Sequence, residues 1–101
     1  MSEDKKKSMQ WRHVQALIAG MEASPTQKCL LIVIHCHAQR KGFACASMET
    51  LAREIGASLR TTRRTVQLAR QRGVVTVEGT DRYWLNIERL KELQRRAAVQ
   101  P

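Results

Sequence analysis

The stretch Ser47–Arg72, SMETLAREIGASLRTTRRTVQLARQR, constrains this chain more than any other. Leu51, Ala52 and Ile55 give one short helical run an inward face, and Leu59, Thr62, Val66 and Ala69 give a second run another. Between them, Gly56 admits the left-handed backbone that a sharp reversal needs. Ser47 and Ser58 stand where helix N-caps belong, and Glu49 sits near the positive end of the first run. The pattern predicts helices over 48–55 and 59–72 joined by a tight turn. The second carries Arg60, Arg63, Arg64, Arg70 and Arg72, and no Asp or Glu lies between Glu54 and Glu78. A solvated basic face normally alternates with acidic residues, so this one implies a polyanionic partner.

The flanking segments supply the rest of a small core. From Met9 to Glu22, Trp11, Val14, Leu17, Ile18 and Met21 recur at helical spacing. Ser24-Pro25 reads as an N-cap followed by proline at the first helical position. The helix it opens, from Pro25 to about Arg40, has only Lys28, His35 and Gln39 as a polar wedge, so burial on most sides is expected. Gly42 fits a helix C-terminal glycine, and Phe43–Ala46 a lone strand pairing with something later. Beyond Gly73 the period becomes two. Val75 and Val77, then Tyr83 and Leu85, flank the polar loop Glu78-Gly79-Thr80-Asp81, as in a β-hairpin. Asn86 can cap a last helix bearing Leu90 and Leu93 on one side.

The resulting order, α-α-β-α-α-β-β-α, is mainly α with a small β-hairpin (α+β), a winged helix-turn-helix. A chain of 101 residues has room for one compact domain. The reading is a disordered basic tail over 1–8, with Lys5, Lys6 and Lys7, and a single domain over 9–98. Within it lie a recognition motif at 47–72, a wing at 74–87 and a C-terminal helix at 87–98.

With 18 Lys and Arg against 9 Asp and Glu, the net charge of +9 points to nucleic acid. Cys29, Cys36 and Cys45 are odd in number and no signal peptide precedes them, which fits a reduced, cytoplasmic protein. The longest apolar run, Cys29–Ile34, is far short of the roughly 20 residues of a membrane span. His35 and His37 beside the cysteines invite a metal reading, but no C-x-x-C pair exists and Cys29 and Cys36 lie on one face of an apolar helix. Small buried cysteines, with no metal and no cofactor, are expected. No third group orients a Cys–His pair, and there is no glycine-rich phosphate loop or carboxylate pair, so the chain does not read as an enzyme.

Ser24-Pro25-Thr26-Gln27-Lys28, Ser47-x-x-Thr50-Leu51-Ala52-x-x-Ile55-Gly56-Ala57-Ser58, Arg60-Thr61, Thr65-Val66 and Gly73-Val74-Val75 together resemble the helix-turn-helix domains of plasmid and phage replication initiators and related small regulators. The resemblance covers about 24–75 and implies a bacterial, nucleoid- or plasmid-associated DNA-binding protein. Ala46 stands where that group usually has proline. Ala69 and Arg72 stand where it tends to have leucine, so thinner packing under the recognition helix is expected.

Read from the residues alone, Arg60, Arg64, Gln67 and Gln71 form a polar stripe opposite the inward face, shaped to lie in a major groove. Arginine can reach guanine and glutamine can reach adenine bidentately, which makes these four the base-reading candidates. Ser47, Ser58, Thr61, Arg63, Arg70 and, on the wing, Arg82 are the phosphate candidates. Trp11, Leu68, Leu90 and Leu93 are candidates for a homodimer surface formed by the first and last helices. The alternative, that those helices only close the monomer's core, stays open, as does a thymine-methyl contact for Leu68. The partner expected is double-stranded DNA, and the job transcriptional control in a bacterium, plasmid or phage. Replication initiation and a protein–protein adaptor are the rival readings.

Overall fold

A computed structural model of the chain describes residues 12–38 and 42–99. Helix α1 covers 12–20 and buries Val14, Leu17 and Ile18, with Met21 just beyond. The 1–8 tail and Trp11 lie outside the described residues. Helix α2 spans Pro25–His37, with the Ser24 hydroxyl accepting from the Gln27 amide at 3.1 Å and proline in the first turn. It ends before Arg40, where Ala38 closes it in a right-handed cap. Helices α3 (Met48–Ile55) and α4 (Leu59–Gln71) open with the same device. Ser47 and Ser58 accept from the amides of Thr50 and Thr61, each at 3.1 Å. Gly56, at φ 71° and ψ 34°, makes the reversal between them, where a side chain would strain the backbone.

Strands β1 (Ala44–Cys45), β2 (Val75–Glu78) and β3 (Arg82–Leu85) form an antiparallel sheet in the order β1-β3-β2. The short strand before α3 therefore pairs with the far arm of the hairpin, Ala44 opposite Tyr83 and Cys45 opposite Arg82. Alternation puts Ala44, Val75, Val77, Tyr83 and Leu85 on the inward face, with Tyr83 1% exposed. On the other face Phe43 stacks on Trp84 with centroids 4.9 Å apart. Helix α5 (Ile87–Val99) is capped by Asn86, whose side-chain oxygen accepts from the Arg89 amide at 3.1 Å. Five helices and a three-stranded sheet in this order make a winged helix-turn-helix.

Three packing expectations are corrected. Helix α2 buries one face only, Gln27, Leu30, Leu31 and Ile34, while Ile32 and Val33 are half-buried. Helices α3 and α4 and strands β1 and β3 pack against α2, and Ile32 and Val33 reach the same core only at its edge. Cys29 and Cys36, expected inside, are exposed, and so is Cys45. Leu90, a candidate for a dimer surface, is 0% exposed and belongs to the core cluster with Val14, Leu17 and Ile18. Leu93 packs half-buried against the same cluster. The last helix thus spends its apolar side closing the monomer.

Candidate nucleic-acid interface

Helix α4 divides into sectors. Its inner side is Thr62, Thr65, Val66 and Ala69, packed against α2, α3 and β2. Leu59, expected there, is 36% exposed, because it stands at the first position of the helix, beyond the reach of those neighbours. Thr65 takes an inward place instead. The two buried threonines keep their hydroxyls satisfied by donating back along the helix, Thr62 to the Ser58 carbonyl at 2.8 Å and Thr65 to the Thr61 carbonyl at 2.7 Å.

Opposite this side, Arg60, Arg64, Gln67 and Gln71 are all exposed, so the four base-reading candidates share one solvent-facing stripe. Arg63 and Arg70 lie to one flank. With Gln67 they line a groove of about 520 Å³ whose far wall is Val77, Gly79 and Thr80 of the hairpin. The other flank carries Thr61 and Leu68, both exposed. Among the described residues, the side chains of Arg60, Arg63, Arg64 and Arg70 form no ion pair and no hydrogen bond. Ser47 and Ser58 sit exposed at the two helix N-termini, and each hydroxyl also meets a threonine hydroxyl, Thr50 at 2.9 Å and Thr61 at 3.1 Å.

Arg72 separates from the other arginines of this segment. Its guanidinium donates to Oε1 of Gln27 at 2.7 Å, and Gln27 is 4% exposed. Arg89 of α5 in turn donates to the Arg72 carbonyl at 2.9 Å and to Glu92 at 2.9 Å. A helix C-terminus leaves carbonyls unsatisfied, and here a cation from α5 covers one of them. A polar clamp thus joins α2, the end of α4 and α5. The Ser24-x-x-Gln27 spacing was the available signal, but it suggests a local capping box rather than a partner 45 residues away.

The wing is differently built. Arg82 lies 4.0 Å from Glu78, with its guanidinium 5.9 Å from the centroid of the Phe43 ring. Asp81 accepts from the Cys45 thiol at 3.7 Å. The loop cation is thus engaged within the protein, by one carboxylate and one aromatic ring. As for the remaining thiols, partial burial and the Glu54 carboxylate push Cys36 up from its ordinary value, which disfavours the thiolate a metal or electrophile would need. Glu54 itself meets His37 at 2.7 Å. Among the described residues no group of three or more His, Cys, Asp or Glu is placed to hold a metal ion. Nor is any described helix long and apolar enough to cross a membrane.

The model of a family described as a helix-turn-helix domain matches residues 24–75, just over half of the chain. The chain belongs to that family, and a helix-turn-helix domain supports DNA binding. The match runs from the cap of α2 to the first residue of β2 and contains every base-reading candidate. No curated protein and no solved structure matches the chain.

Proposed function

We propose that the protein binds double-stranded DNA in a sequence-specific manner, laying α4 in the major groove, and that it acts in the cytoplasm as a regulator of transcription. One observation carries the reading. Four arginines on α4, Arg60, Arg63, Arg64 and Arg70, are exposed and unpartnered among the described residues, Arg60 and Arg64 across the helix from its buried side and Arg63 and Arg70 on one flank. Holding like charges together without counter-ions is unfavourable unless a polyanion supplies them. Arg60, Arg64, Gln67 and Gln71 then meet base edges, while Arg63 and Arg70 follow the phosphate backbone beside the hairpin, with Ser58 and Thr61 at the positive helix end and Ser47 at the preceding one. Arg82 adds a weaker phosphate contact.

Affinity measured against salt tests the reading. The expected slope of log K against log salt is steep and negative, about −0.9 for each phosphate neutralised. A flat slope, or no binding at low salt, would assign the basic face to an acidic protein partner instead. Selecting bound duplexes from a random pool and locating them in a genome tests the role. Sites beside promoters support transcriptional control, whereas repeated sites within an origin would assign the protein to replication initiation.

A further inference from the structure

Leu68 is out of character with its surroundings. It is 47% exposed, more than Leu59 or Ile87, the other exposed large hydrophobic residues among those described. Its neighbours one helical turn away are Arg64, Thr65, Gln71 and Arg72, of which Thr65 is buried and the rest are polar. Leu59 lies about half a revolution around α4 at about 100° per residue, on the opposite flank. A protein interface of ordinary size needs a contiguous patch of about 800 Å² on each partner, which one isolated leucine does not begin to provide. What the surface offers is a single branched apolar group framed by hydrogen-bonding side chains. That is the complement of one methyl group set among hydrogen-bonding base edges.

The C5-methyl group is the apolar feature that a pyrimidine presents in the major groove. We propose that Leu68 is a specificity-determining residue that reads the C5-methyl group of a pyrimidine beside the base pairs met by Arg64 and Gln71. The proposal rests on the DNA reading above. At about 1.5 Å per residue, Leu68 stands about 6 Å along the helix from Arg64 and about 4.5 Å from Gln71. Both separations are within two base-pair steps of about 3.4 Å. Its flank, shared with Thr61, faces away from the hairpin, so its methyl contact falls on the opposite side of the site from Arg63 and Arg70. Thymine and 5-methylcytosine carry the same group in the same place.

The test uses the full chain and a duplex it selects from a random pool, with each thymine replaced in turn by uracil. At one position of the site, uracil should weaken wild-type binding about fourfold, the value of burying one methyl group. Leu68→Ala should bind the thymine and uracil duplexes alike. Comparing cytosine with 5-methylcytosine at that position tells which pyrimidine can supply the group. If wild type binds every uracil duplex as tightly as its parent, or Leu68→Ala stays as sensitive as wild type, the proposal is overturned while the DNA reading stands. Failure to bind duplex DNA at all overturns both.

Discussion

On α4, Arg60, Arg63, Arg64 and Arg70 stand in solvent with no ion-pair partner among the described residues; on the wing, Arg82 sits 4.0 Å from Glu78 and over the Phe43 ring. Both regions are exposed and both carry arginine, so neither exposure nor residue type distinguishes them. Pairing does. An unpaired guanidinium keeps its full field and its donors for a ligand, whereas one already beside a carboxylate must first give that contact up. Arg72 makes a related point inside the motif, because its guanidinium already donates to Gln27. Charge counted along the chain therefore overstates the proposed binding surface, since some of its arginines are already engaged within the protein.

The sharpest way to break this comparison is to remove the base-reading pair. Arg60→Ala with Arg64→Ala should lose about 1–3 kcal/mol of discrimination per residue between selected and scrambled duplexes. Arg64→Ala alone should relax preference at one base position. Unchanged selection by the double variant would move the reading face elsewhere.

Next in size is the clamp. Gln27→Ala, which leaves the Arg72 guanidinium without its acceptor, should cost about 1.5–3 kcal/mol in urea unfolding, as expected for a hydrogen bond to a charged group. Base preference should be preserved in the folded fraction. A change of preference without loss of stability would return Arg72 to the interface.

Smaller effects separate the flank from the wing. Arg63→Ala and Arg70→Ala should each weaken all duplexes alike and reduce the salt slope by about 0.9. Arg82→Ala should also weaken all sites alike, but by less than about 1 kcal/mol, because its charge is already partly balanced. Glu78→Gln should then strengthen binding slightly, by no more than an exposed ion pair is worth, about 0–1 kcal/mol. If Arg82→Ala costs as much as Arg63→Ala, the distinction between paired and unpaired arginines fails.

By itself, the sequence determined what depends on neighbours within a few residues. Ser47, Gly56 and Ser58 set the bounds of α3 and the turn, because capping and a left-handed backbone are local demands. The change of period at Gly73 announced the hairpin, and the stripe Arg60, Arg64, Gln67 and Gln71 follows from helical geometry once α4 exists. Only the tertiary structure decided which sides of each element meet something. It left Cys29 and Cys36 in solvent because α2 buries one face only, and it enclosed Leu90 within the monomer. It joined Arg72 to Gln27 and Arg89 to the Arg72 carbonyl across 45 and 17 residues. Such pairings depend on how elements dock, and periodicity along a single helix carries no record of that.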